Sequence, residues 1–353
     1  MEINMVKFGV FADLHVDIMH DCEERLNIFL EKCREENVDF IIQLGDFCYP
    51  DEMRKCVCLP HHRPINIENS LKVPTYTNKD AINKAYKNFE KPSYHVLGNH
   101  DCDMCTKEQI LEYYGVDYAP YYSFDCNGFH FVVLDGNYMR IDGEDISFAN
   151  GNYFDASYLP DKVTNPYISK EQLKWLKEDL AKAKGPSVLF SHQGLSSGAG
   201  SVLNYEEVKV ILLNAPNRVV MSLNGHEHVD KVVKEDGIWF YNVNSMSNYW
   251  VGLSNACPNR YTKEIDEKYP NIKYTVPYTT PVFAIVTLDE SGATIKGVKA
   301  EFAGSTPEEL RIFDDPVSGA VFRRYREYIT PEIKDRYLSF KTENNKGMEN
   351  FVN

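Results

Sequence analysis

Positive charge is what this sequence is short of. Lysine and arginine number 38 against 52 acidic residues, a formal net charge of −14. That balance disfavours a broad nucleic-acid surface or an anionic-membrane surface. It leaves phosphate substrates open, because bound metal ions invert the sign locally. Long apolar runs are also missing, and no stretch is long enough to cross a bilayer. The opening residues, MEINMVKFGVFAD, run straight into a strand pattern without the basic and apolar segments of a secretory signal. The nine cysteines are odd in number. Without a secretory signal they read as reduced thiols, so a cytoplasmic location and no membrane partner are expected. Internal repeats and low-complexity tracts are absent.

What is present is a chain of 353 residues, 43% hydrophobic and 25% charged, enough for a large core. It suits one big domain, expected over 1–300, followed by a charged, weakly patterned extension over 301–353. Five apolar runs of strand length each end in potential metal ligands. VKFGVFADLH ends in Asp13 and His15, and VDFIIQLGD ends in Gly45 and Asp46. YHVLGNHD breaks at Gly98 into Asn99, His100 and Asp101. PSVLFSH ends in His192, and RVVMSLNGHEH in His226 and His228. A lone histidine of this kind is usually a solvated or core residue. Five coincidences at loops following strands, where α/β folds build sites, point to one site.

Helical periodicity predicts a helix over 23–36, with Leu26, Phe29, Leu30 and Cys33 on one stripe. Residues 47–90 are an insertion ending in a predicted helix, NKDAINKAYKNFE, and residues 137–168 a Tyr-, Asn- and Gly-rich excursion. Both are expected to wall the site. Thr106 with Gln109, and Ser169 with Gln172, have capping-box spacing. PVFAIVTLDESGATIKGVKA predicts a hairpin turning at Ser291-Gly292. Strands first alternate with helices and then run together, which favours two packed sheets flanked by helices.

Two carboxylates, an amide and four imidazoles exceed what one tetrahedral zinc takes. They fit two ions sharing a carboxylate, and mixed N/O ligation suits Mn, Fe or Zn rather than Ca. Such a pair clamps a phosphoryl group and makes a bridging hydroxide nucleophile near neutral pH. His100, beside the amide, is placed to protonate a leaving oxygen.

In order, DLH, GD, GNHD, SH and GHEH resemble the calcineurin-like metallophosphoesterases over roughly residues 6–245. The resemblance implies a four-layer αββα sandwich of two mixed β-sheets flanked by helices. It implies one metal held by Asp13, His15, Asp46 and His228, and a second by Asp46, Asn99, His192 and His226. It also implies a catalytic His100 that meets the leaving group or binds phosphate, with Asp101 orienting its loop. Many members read Gly-Asp-x-x-Asp at the second block, the last Asp steadying the histidine. Here Tyr49 takes that place, with Asp51 as a substitute partner for His100. Gly-Asp-x-x-Tyr resembles instead the purple acid phosphatases, whose Tyr binds ferric iron, although those enzymes lack the histidine that His15 supplies. Tyr49 is thus a candidate ligand or a neighbour of the ligands. The expected substrate is a small-molecule phosphate ester, a phosphodiester or phosphoanhydride ahead of a phosphomonoester, with an inactive protein-binding scaffold as the alternative of another class. Asn248 and Trp250 are candidate substrate contacts, against a plain packing role. Cys56, Cys58, His61 and His62 would suit a structural zinc, and Cys102 with Cys105 a redox pair, against plain thiols.

Overall fold

The computed structural model describes residues 5–47, 79–154, 166–198, 200–316 and 318–341. In chain order the first half runs β1 (Val6–Phe11), α1 (Cys22–Glu35), β2 (Phe40–Gln43), α2 (Lys79–Lys87), β3 (Ser93–His95), α3 (Lys107–Tyr114), β4 (Tyr122–Cys126), β5 (Phe129–Val133), β6 (Tyr138–Ile141) and β7 (Glu144–Ser147). It continues with α4 (Lys170–Leu180), β8 (Ser187–Ser191), α5 (Tyr205–Leu213), β9 (Val219–Asn224), β10 (Lys231–Glu235), β11 (Ile238–Asn242) and β12 (Asn248–Trp250). The last elements are α6 (Lys263–Lys268), β13 (Thr275–Pro277), β14 (Ala284–Asp289), β15 (Gly292–Gly297), α7 (Gly319–Tyr325) and β16 (Arg336–Ser339).

Two six-stranded mixed sheets form, in the orders β16-β15-β14-β1-β2-β3 and β10-β11-β9-β8-β5-β4. In the first, β1, β2 and β3 run parallel as one half and β14, β15 and β16 are antiparallel on the other side; in the second, the parallel β5, β8, β9 and β11 form the centre, with antiparallel β4 and β10 at the two edges. The period-2 alternation of the strands decides the layers. Phe8, Val10, Phe40 and Ile42 point between the sheets and meet Phe131 and Phe190 of the second sheet. The Phe8 ring lies edge-on to Phe131 at 6.0 Å and to Phe190 at 5.7 Å. Phe11 and Ile41 point the other way, onto Leu26, Phe29 and Leu30 of α1, Ile82 and Tyr86 of α2, and Ile110 of α3. On the far side, Val132 and Leu189 meet Leu173 and Leu176 of α4 and Val208 and Leu212 of α5. The result is the expected helix–sheet–sheet–helix layering.

Local signals resolve with small differences. Thr106 and Gln109 make a full capping box. Ser169 accepts from the Gln172 backbone, but the Gln172 amide turns away to bond both the N–H and the carbonyl of Asp135, so that box closes on one side only. The β14–β15 turn sits one residue earlier than expected. Asp289 pairs with Gly292, and the Asp289 carboxylate accepts from the Ser291 and Gly292 N–H groups. Of residues 301–353, the described part adds β16 to the edge of the first sheet and packs Phe313, Phe322 and Tyr325 over Tyr249, Val251 and Val276. Among the described residues no helix is long and apolar enough to cross a membrane.

Candidate metal centre

Parallel neighbours end at the same edge of their sheet, so the loops after β1, β2 and β3 meet one another. The loops after β8 and β9 do the same in the second sheet. Asp13 and His15 follow β1, Asp46 follows β2, Asn99 to Asp101 follow β3, His192 follows β8, and His226 and His228 follow β9. The fold brings six of these residues together as two groups of ligand atoms. One is Asp13, His15 and His228; the other is Asp46, His192 and His226.

The groups interlock. Asp46 Oδ2 lies 3.2 Å from His192 Nε2 and 3.8 Å from His15 Nε2, so one oxygen reaches both. Asp13 Oδ1 lies 3.3 Å from His228 Nε2 and 4.0 Å from His192 Nε2. The rings are aimed from behind: His192 Nδ1 bonds Leu44 O, and His228 Nδ1 bonds Asn248 O, each at 2.8 Å. A ring whose Nδ1–H is held by a carbonyl turns an Nε2 lone pair inward, the usual setting of a ligating histidine. Asn99 is buried and its Oδ1 has no hydrogen-bond donor among the described residues. A cation is a partner such an oxygen can take.

Charge tells the same story. Burial alone would raise the Asp46 carboxyl, but His192, His100 and His15 hold it well below the ordinary range. Burial depresses His15 to about 4 and His226 to about 3, which leaves both rings neutral. Burial opposes the charge on His192 too, yet Asp46 and Asp13 carry it up to about 9, and Asp13 raises His228 in the same way. The two carboxylates thus demand positive charge at the centre. Cations can supply it in place of the protons.

Backbone strain is concentrated here. Asp13, His15, Asp46, His226 and His228 all have φ between 51° and 72°, in the left-handed region. Such residues cost of order 1–3 kcal/mol each and persist where the surroundings over-determine them. Gly98 is required for a different reason, close approach: a Cβ there would overlap Asp46 N and Oδ1.

Asp101 faces the backbone. Its carboxylate accepts from the N–H groups of Asp46, Phe47 and Gly98, at 3.1, 2.9 and 2.8 Å, and from Tyr114 OH at 3.0 Å. Burial and the nearby Asp46 push it up to about 7. Its geometry suits a brace between the β2 and β3 loops. His100 is partly open, its side chain 36% exposed, and its Nδ1 bonds Asp103 Oδ2 at 2.8 Å. Asp103 and Tyr153, which donates to the other Asp103 oxygen, were missed from sequence. The three-residue offset from His100 to Asp103 was the available signal. Asn248 meets the centre through its backbone carbonyl on His228, and its own Oδ1 is buried without a donor among the described residues. Trp250 packs on Tyr274 at 5.9 Å and against the α1-side core. Cys102 and Cys105 are free and buried; burial pushes Cys105 up to about 12, and Cys105 Sγ donates to Asp101 O. Tyr49, Asp51, Cys56, Cys58, His61 and His62 lie outside the described residues.

A family model described as calcineurin-like phosphoesterase matches residues 6–230. Among solved structures, a dimetal phosphatase from Danio rerio is similar at 17% identity and a TM-score of 0.57, over 85% of this chain and 99% of that one. YfcE, a phosphoesterase from E. coli, matches at 11% identity and 0.36, over 85% and 100% of the chains. GAP50, the anchor in the inner membrane complex of Plasmodium, matches at 14% and 0.44, over 88% and 94%. The comparison with curated proteins gives no match.

Proposed function

The chain belongs to the calcineurin-like phosphoesterase family, and we propose that it is a hydrolase with two metal ions that cleaves a small phosphodiester or phosphoanhydride. The observation that carries this reading is the pair of interlocked ligand groups with Asp46 Oδ2 reaching histidines of both. In the proposed assignment Asp13, His15, Asp46 and His228 hold one ion, and Asp46, Asn99, His192 and His226 the other. Mixed N/O donors without thiolate suit Mn, Fe or Zn. When bound, such a pair polarises a phosphoryl oxygen and supplies a nucleophile near neutral pH.

The remaining work falls to the chain. Asp101 holds the β2 and β3 loops at fixed spacing, so Asp46 and Asn99 keep their places. Asp103 engages His100 Nδ1, which leaves Nε2 as the atom that carries a proton to the departing oxygen. General acid catalysis of this kind contributes about 10²–10⁴-fold. Such an acid serves a basic alkoxide or ribose oxygen as leaving group, and a phosphodiester or phosphoanhydride is the substrate class put first, ahead of a monoester. The excess of acidic residues, 52 over 38 basic, argues for a small substrate over a polyanionic nucleic acid.

The test is a panel of mono-, di- and pyrophosphate esters offered to the metal-free protein with Mn, Fe, Zn or Mg added back. Turnover of diester or pyrophosphate ahead of monoester is expected. Monoester turnover alone would make it a phosphomonoesterase. Two bound ions with no turnover would make it a binding scaffold.

A further inference from the structure

The family's usual aspartate partner for the catalytic histidine is replaced in this sequence by Tyr49, yet His100 is not left without a carboxylate. Residues His100–Cys102 form one turn of 3₁₀ helix, in which side chains three apart eclipse. That places Asp103 Oδ2 2.8 Å from His100 Nδ1. The other oxygen of Asp103 accepts from the hydroxyl of Tyr153, fifty residues further on. The same Tyr153 oxygen lies 3.3 Å from Asn99 Nδ2. Tyr153 is fixed from all sides: its ring stacks on Phe148 at 4.5 Å, and Cys102 and Met139 pack beside it. The N–H groups of Asn150 and Gly151 bond Cys105 O and Cys102 O, each at 3.0 Å. The excursion after β7 is thus stitched to the loop it serves.

The direction of the protons decides what this arrangement does. A carboxylate only accepts, so the Tyr153 proton goes to Asp103 and the His100 Nδ1 proton goes to the same group. The Tyr153 oxygen is then an acceptor toward Asn99, which must present Nδ2–H to it. An amide with its nitrogen so engaged turns Oδ1 to the opposite side, and that Oδ1 is the buried oxygen without a donor. One hydroxyl therefore touches two groups at once: it steers the Asp103 carboxylate that accepts from His100 Nδ1, a nitrogen itself 3.5 Å from the hydroxyl, and it orients Asn99.

We propose that Tyr153 is a positioning residue that couples the leaving-group histidine His100 to the proposed metal ligand Asn99 by way of Asp103. The inference rests on the two-metal reading of the centre. Tyr153→Phe removes one oxygen and keeps the stacked ring, and Asp103→Asn cuts the chain at its next link. Both are made in the full chain, with near-ultraviolet circular dichroism to confirm the fold. In the metal-free protein labelled with ¹⁵N-histidine, the Nδ1–H signal of His100, assigned by its loss in His100→Ala, should shift in both variants. Chelator competition should show one of two ions held about 10–100-fold more weakly in Tyr153→Phe, the range for loss of a partner that orients a ligand. The rate on an alkyl phosphate ester should fall further than on a nitrophenyl ester. A His100 signal unmoved by Tyr153→Phe overturns the inference, and so do unchanged affinities for both ions. The histidine signal needs no metal, so it decides the coupling even if wild-type protein binds none, an outcome that would instead defeat the two-metal reading.

Discussion

A single methyl group at residue 98 should disable the centre without removing any proposed ligand. In Gly98→Ala the new Cβ would overlap Asp46 N and Oδ1, and would lie 2.8 Å from the Asp46 carboxyl carbon. Carbon atoms at rest sit about 3.5–4.0 Å apart, and one of the overlapped atoms is backbone, so the loop that carries Asp46 must retreat by about 1 Å or more, its carboxylate with it. Misplacement of that size costs on the order of 10²-fold in rate. Stability should change much less. Overpacking costs about 1–3 kcal/mol, and the stiffer unfolded chain returns about 0.4–1 kcal/mol, which leaves a net loss of about 1–2 kcal/mol. Steady-state rates on the best ester of the panel, metal content and equilibrium unfolding of the same preparation check all three quantities. Wild-type rate with wild-type metal content would refute the placement of Asp46 against Gly98 as a functional constraint. A large stability loss with unchanged rate would refute it equally.

His100→Ala should keep its metals and lose up to about 10²–10⁴-fold on an alkyl or ribose ester, the loss shrinking on a nitrophenyl ester; an equal loss on both would make His100 a phosphate-binding residue. His130 is held between Asp125 at 2.7 Å and Asp179 at 2.9 Å. Burial works against its charge, but the two carboxylates raise it above 6.5. A raised histidine stabilises fully below its unfolded value and loses that contribution as pH rises through the folded value. Unfolding midpoints should therefore fall from pH 6 upward more steeply in wild type than in His130→Gln; parallel slopes would sink the assignment. Arg336 bonds buried Asp230 at 2.5 and 2.6 Å. Arg336→Ala leaves that carboxylate only the neutral donors Tyr241 O–H and Lys334 N–H, at a cost of about 3 kcal/mol, read from chemical denaturation; a change below about 1 kcal/mol would mean that those two donors suffice.

The parts of the molecule legible in sequence share a property: their signal is local. Asp13 with His15, and His226 with His228, sit within a few residues of the strand that aims them, so strand pattern and ligand type are read together. The stripe of Leu26, Phe29, Leu30 and Cys33 is likewise contained in one helix, and all four side chains are buried. What escaped depends on contacts between distant segments. Tyr153 reaches Asp103 across fifty residues from a segment rich in tyrosine, where no spacing marks one ring over another. Gln172 leaves its capping box for Asp135 because a strand end lies beside it only in the fold. Arg336 and Asp230 are 106 residues apart, and no pattern in the charged final segment singles out that arginine. Asp103 is the intermediate case, visible as a three-residue offset but ambiguous until the turn is known to be 3₁₀.

Everything proposed for the centre depends on one carboxylate, Asp46, serving two ions. Elemental analysis of the purified full chain and of Asp46→Asn, each loaded with the same metal and dialysed, tests it most directly. Two ions are expected per wild-type chain, one or none in Asp46→Asn, and loss of phosphoesterase activity with them. An Asp46→Asn protein that holds two ions and turns over ester at the wild-type rate would contradict it.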